Sequence, residues 1–187
     1  ESNADIICIQ ETKRDFFDSR YIKNFYPRRI NQFEFLPSVG ASGGLLIAWN
    51  GSLFTGEHLF HNDLALSVCF TSTLFGDSFI HSNIYGPCQG PERAQFLNWF
   101  KDIQIPTDTK WIIMGHFNYV RFPTDRNREG GNFTEMLQFN EAINALALVE
   151  IPLKGRQFTW SNMQDAPLLE KLDWVFTSEC WTTEFPN

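Results

Sequence analysis

Lys110-Trp111-Ile112-Ile113-Met114-Gly115-His116-Phe117-Asn118-Tyr119 opens with an apolar run, Trp111 to Met114, that is too short to span a membrane and is bounded by Lys110 and Gly115. Such a run predicts a core strand. Two polar side chains follow it, His116 and Asn118. They are two residues apart, so in extended chain they share one face while Phe117 points to the other. Loops also begin with polar residues, so the pair gains meaning only from what other strand ends carry.

The same arrangement recurs along the chain. The run Asp5 to Gln10 ends at Glu11-Thr12-Lys13, Ser78 to Tyr85 ends at Tyr85-Gly86-Pro87, and Leu172-Asp173-Trp174-Val175-Phe176 places Asp173 at the start of a strand. Strand ends on a rigid sheet can converge on one pocket, and carboxylates there suit a hard cation such as Mg²⁺ bound through oxygen. A metal so held polarises a phosphoryl oxygen and stabilises a leaving group.

Between these strands, Phe17, Tyr21 and Phe25 are spaced for a helix over 14–25, stopped by Pro27. The segment to Pro37 reads as loop with a short strand. Leu45 to Trp49 and Ser52 to His58 flank Asn50-Gly51, which predicts a β-hairpin. Leu64 to Phe70 and Ser78 to Tyr85 form a further pair around Gly76-Asp77. Pro91 suits the first position of a helix carrying Phe96, Phe100 and Ile103. Asn132 and Glu135 resemble a capping box ahead of a helix with Met136, Phe139, Ile143 and Leu146 on its buried stripe. Short strands at 158–161 and 172–176 complete the order, which predicts one α/β domain with mixed sheets and helices covering two packed sheets.

At 187 residues the chain suffices for one domain with a sizeable core. Its net charge of -7 argues against a polyanion binder that works through a generally basic surface. Local basic clusters remain, one of Lys13, Arg14, Arg20, Lys23, Arg28 and Arg29 and another of Arg121, Arg126 and Arg128. Most of these charges read as ordinary solvated loop. Cys8, Cys69, Cys88 and Cys180 form no CxxC pair and no zinc spacing, so a reducing, intracellular compartment is expected. No signal peptide or membrane-spanning run is visible, and no membrane partner is expected.

Six motifs occur in order over nearly the whole chain: Ile9-Gln10-Glu11-Thr12, Ser42-Gly43-Gly44, Ile84-Tyr85-Gly86-Pro87, Gly115-His116-Phe117-Asn118, Phe158-Thr159-Trp160-Ser161 and Leu172-Asp173. Together they resemble the endonuclease/exonuclease/phosphatase superfamily. Within it the chain is most similar to the endonuclease domain of plant LINE-type (non-LTR) retrotransposons, on Asp125-Arg126-Asn127-Arg128-Glu129-Gly130-Gly131 and Phe158-Thr159-Trp160-Ser161-Asn162. The resemblance implies a four-layer α/β sandwich of two mixed β-sheets flanked by helices. It also implies hydrolysis of a DNA phosphodiester with Mg²⁺, or Mn²⁺ in its place. Glu11 matches the family's metal-binding glutamate, Tyr85 a tyrosine on the scissile phosphate, and Asn118 the asparagine that orients phosphate or attacking water. Asp173 matches the aspartate that supports a catalytic histidine. In an intact relative a reverse-transcriptase domain is expected downstream, and a working copy would act in the nucleus.

Three departures from the family pattern point to a degenerate copy with little activity. His116 stands where the family has an aspartate. A neutral imidazole could accept a proton there, but it lacks the charge and second oxygen of a carboxylate. The chain is also expected to be truncated at both ends, lacking a first strand with the family's asparagine and a last one with its aspartate and histidine. His58 and His61, taken to flank a turn, and His81, in a strand, do not replace that histidine. The alternatives are a catalytically dead module that binds nucleic acid or protein, another phosphatase or phosphodiesterase of the superfamily, and an unstable relic with exposed sheet edges.

Overall fold

The computed structural model describes residues 3–40, 43–104, 106 and 108–185. Ser42 of the Ser42-Gly43-Gly44 motif lies outside them. The chain forms two compact units, one of Glu1–Tyr85 with Lys110–Gly115 and one of Gly86–Thr109 with His116–Asn187.

The first unit contains β1 (Ile6–Gln10), α1 (Ser19–Phe25), β2 (Gln32–Leu36), β3 (Leu45–Trp49), β4 (Phe54–Asn62), β5 (Ala65–Ser72) and β6 (Ser78–Tyr85). All but the last residue of β7 (Trp111–His116) also belongs to it. The run Leu45 to Trp49 has no polar member, and the fold shows why: all five residues are buried. Leu45, Ile47 and Trp49 pack against Leu66, Val68 and Phe70 of β5. Leu46 and Ala48, on the opposite face by the two-residue period of a strand, pack with Phe17, Ile22 and Ile30. β3 is thus the centre of an antiparallel sheet β1-β3-β2, with Ala48 opposite Ile7 on one side and Phe33 on the other.

That placement corrects the expected hairpin across Asn50-Gly51. Both edges of β3 are taken, and β4 pairs antiparallel with β5 instead. Asn50 turns the chain out of the first sheet, accepting from the Ser52 N–H and donating to Asp5, each at 3.1 Å. His58 and His61 both lie within β4 rather than flanking a turn, with ring nitrogens 2.9 Å apart. His81 is buried, sits 3.0 Å from the Cys8 sulfur, and is pushed down to about 4 by burial, so it packs as a neutral ring.

β5 and β6 are antiparallel, as expected around Gly76-Asp77. The next pair is parallel, because Ile80 N–H donates to Lys110 O and Gly86 N–H to His116 O at the same sequence offset. Gly115 permits the close approach there. Its φ is +146°, and a Cβ would lie 2.0 Å from the Ile84 carbonyl oxygen.

The second unit contains α2 (Glu92–Lys101), α3 (Phe133–Ala145), β8 (Val149–Glu150), β9 (Trp160–Ser161), β10 (Leu169–Glu170), β11 (Asp173–Thr177) and α4 (Glu179–Glu184). Its core is aromatic. Phe96 and Phe100 of α2, Phe139 of α3, Phe117, Tyr119, and Trp174 and Phe176 of β11 are all buried, and their rings meet edge-on, tilted or stacked. β8 pairs antiparallel with β11, and β9 with β10.

Helix starts follow their caps. α1 begins at Ser19 rather than near Arg14, because Asp18 accepts from the Tyr21 N–H at 2.7 Å. Asn132 caps α3 as expected, accepting from the Glu135 N–H. The Glu135 carboxylate does not close the box, since it is engaged by Arg93 at 2.9 and 2.6 Å.

Candidate functional site

The end of β7 is held from both sides in the second unit. Phe117 N–H donates to Leu172 O at 2.8 Å, and Gly86 N–H donates to His116 O at 2.7 Å. The Phe117 ring is buried against Phe100, Phe139 and Phe176, which fixes the backbone on either side of it. Asn118 has φ +61°, so the chain is no longer extended there. The side chains of His116 and Asn118 meet because of this turn, not through simple alternation.

Asp173, at the start of β11, completes a chain of hydrogen bonds. Asn118 Nδ2 donates to the Gly86 carbonyl at 2.6 Å, which orients its amide and leaves Oδ1 facing His116 Nε2 at 2.9 Å. His116 Nδ1 faces Asp173 Oδ1 at 3.0 Å. Burial pushes the Asp173 carboxyl up, but hydrogen bonds from His116 and Thr159, with the charges of His116 and Arg156, outweigh it and hold the group below the usual carboxylate range. Asp173 is therefore an acceptor. Each ring nitrogen of the imidazole thus faces an oxygen, Asp173 Oδ1 on one side and Asn118 Oδ1 on the other.

Glu11 and Tyr85 belong to the first unit. Glu11 follows β1 in a left-handed conformation, φ +55°, secured by bonds of 3.1 Å from Thr12 N–H to Gly44 O and from Lys13 N–H to Gly43 O. Its half-exposed carboxylate lies 3.4 Å from Lys13 Nζ, a solvent-screened pair of small energetic weight. Tyr85 ends β6, partly buried against the Leu45–Phe70 core, and its N–H donates to Leu64 O at 2.9 Å.

Several residues that shape this site carry no signal of their own in the sequence. Arg93 binds Glu135, donates to the carbonyls of Pro87 and Asn118 at 2.9 Å each, and lies 4.0 Å over the Tyr119 ring. It therefore fixes the backbone of Asn118 from behind. Thr159 lies in one of the quoted motifs; its hydroxyl accepts from the N–H groups of Leu172 and Asp173 while bonding the Asp173 carboxylate.

The residues fit a divalent cation unevenly. Glu11 offers an accessible carboxylate, the donor that Mg²⁺ takes alongside several waters. Asp173 Oδ1 and Asn118 Oδ1 are instead both turned to the His116 ring. No group of three His, Cys, Asp or Glu suited to a metal ion occurs among the described residues.

A sequence profile described as the endonuclease/exonuclease/phosphatase family matches residues 1–186. The chain belongs to that family. The transposon TX1 uncharacterized 149 kDa protein of Xenopus laevis is 28% identical over an alignment of 146 residues, which takes in 63% of this chain and 11% of that protein. This family member thus spans about a tenth of the length of the curated relative it matches. Among solved structures, the endonuclease domain of TRAS1, a telomere-specific non-LTR retrotransposon, superposes with a TM-score of 0.68 at 14% identity, covering 94% of this chain and 74% of that one. The catalytic domain of Xenopus laevis APE2 gives 0.60 at 15% identity, over 95% and 74%. These likenesses show the fold, the mixed α/β architecture of endonuclease/exonuclease/phosphatase proteins expected from the sequence. Among the described residues, no helix is long and apolar enough to cross a membrane.

Proposed function

We propose that this domain is a retrotransposon-type DNA endonuclease whose phosphodiester hydrolysis is impaired at His116. The observation that carries the proposal is the closed chain Gly86–Asn118–His116–Asp173, in which an imidazole with an oxygen facing each ring nitrogen stands where a carboxylate was expected. A ring that donates to both oxygens would stabilise negative charge beside it but would not draw a proton from water, and loss of a general base costs roughly 10²–10⁴ in rate. Glu11 would hold Mg²⁺, or Mn²⁺ in its place, and the bound ion would supply Lewis-acid polarisation of a phosphoryl oxygen. Tyr85 would contact the scissile phosphate and Asn118 would orient it. Membership of the family, the likeness to a retrotransposon endonuclease and the transposon relative all support this reading. A reverse-transcriptase domain downstream in an intact relative, and action in the nucleus for a working copy, belong to the same proposal.

Relaxation of supercoiled plasmid with Mg²⁺ tests it. The chain as it stands should nick slowly, His116→Asp should raise the rate by about 10², and adding Glu11→Ala should return it to background. Rapid nicking by the unaltered chain, abolished by Glu11→Ala alone, would refute the impairment.

A further inference from the structure

The geometry points to a second nucleic-acid contact in the first unit: an open cleft at the start of α1 that takes one unpaired nucleotide, its base on Phe16 and its phosphate on Arg14 and Arg20. The cleft has a volume of about 220 Å³ and is lined by Arg14, Phe16, Asp18, Arg20, Tyr21 and Asn24. It rests on the nucleic-acid reading above but not on the hydrolytic residues.

In a chain of net charge -7, several cations are held in ion pairs, as in Arg93–Glu135, Arg121–Glu150, Arg126–Glu170 and Lys171–Glu150. Arg14, Arg20, Lys23 and Arg28 form no ion pair among the described residues. These four are concentrated within fifteen positions of sequence, 14–28. The only acid lining the cleft, Asp18, is engaged as the cap of α1.

The Arg14 guanidinium lies 4.1 Å over Tyr21, whose other neighbour Phe25 stacks at 4.4 Å, so cation and rings form one layered surface. Arg14 spends only its Nε, on the Phe16 carbonyl at 3.4 Å. Phe16 is 60% exposed and Phe25 67% exposed. Phe16 is held edge-on against Phe35 at 6.1 Å, which keeps the ring in place at the cleft mouth. An exposed, fixed ring beside free guanidinium groups is what binds single strands, since an unpaired base offers a π-face and a duplex hides it.

The test is fluorescence anisotropy of the whole chain with a labelled oligothymidine and with a duplex of equal length, in EDTA. The oligothymidine should bind more tightly than the duplex. Phe16→Ala should weaken oligothymidine binding roughly 5- to 100-fold and leave the duplex unchanged. Arg20→Ala should weaken both and flatten the salt dependence by about one unit of slope. Both positions are at the surface, so thermal unfolding should match the parent. Absence of oligothymidine binding, equal affinity for both forms, or a Phe16→Ala variant that binds as the parent overturns the inference. A chain that binds oligothymidine as expected but never nicks, even as His116→Asp, overturns the endonuclease proposal alone. Nicking by His116→Asp with Phe16→Ala binding unchanged overturns only the cleft.

Discussion

The Asp173 carboxylate stands 3.0 Å from Nδ1 of His116, which ties the start of β11 to that imidazole. The pair sets the acid side of the stability profile. A carboxyl whose folded value lies below its unfolded value, near 3.9 for a free aspartate, contributes stability that is fully present above that unfolded value. The contribution is lost as the pH falls through the folded value. Urea midpoints measured from about pH 5 down to pH 2 should therefore fall less steeply for Asp173→Asn than for the parent. Parallel curves would show that Asp173 is not held ionised by its neighbours.

His116 should carry both ring protons at neutral pH, and nitrogen NMR of the imidazole should show two protonated nitrogens. His116→Gln can reach only one of the two acceptors. It should cost about 1–3 kcal/mol, the penalty for a buried polar group left without its partner. A spectrum with one bare nitrogen would instead restore His116 as a proton acceptor and remove the reason given for impaired hydrolysis.

Arg93 offers a separate test of how Asn118 is held. The guanidinium is largely buried, at 16% side-chain exposure, and satisfies Glu135 and two carbonyls at once. Arg93→Ala leaves that carboxylate and those carbonyls unpaired, and a loss of about 3–5 kcal/mol is expected from urea unfolding. Adding Glu135→Ala should recover part of that loss, because the stranded charge is removed with its partner. Additive losses would mean that the two side chains act independently.

What could be read from the chain was what local chemistry specifies. The α3 cap at Asn132 and the strand Ser78–Tyr85 follow from neighbouring residues alone, and the structure places both where expected. The partners of β3 could not be read that way. Asn50-Gly51 has the composition of a hairpin turn, but the pairing was decided by β1 and β2 on either side of Leu45–Trp49. The site divides along the same line. His116 and Asn118 stood out because both end one strand, whereas the pairing of His116 with Asp173 joins residues 57 apart, and that of Arg93 with Glu135 residues 42 apart. A charged residue on a helix face gives no sign of which distant carboxylate will neutralise it.

Gly86 links the fold to the site most directly, because its carbonyl orients the Asn118 amide and its own Cα faces backbone. A Cβ there would lie 2.0 Å from the Phe117 carbonyl oxygen, and no flexible side-chain end could yield to it. Overpacking of this kind costs roughly 1–3 kcal/mol where side chains can give way, so Gly86→Ala should reach at least the top of that range. Its effect should also be local to the hydrogen-bond chain. As the Gly86 carbonyl moves from its 2.6 Å contact, the Asn118 amide loses its fixed orientation, and the Nε2 proton of His116 loses a fixed acceptor. Nitrogen NMR of His116 in Gly86→Ala, run beside urea unfolding, should show the imidazole signals broadened or shifted together with the drop in stability. A variant as stable as the parent, with His116 unchanged, would show that neither the close approach nor the carbonyl positions Asn118.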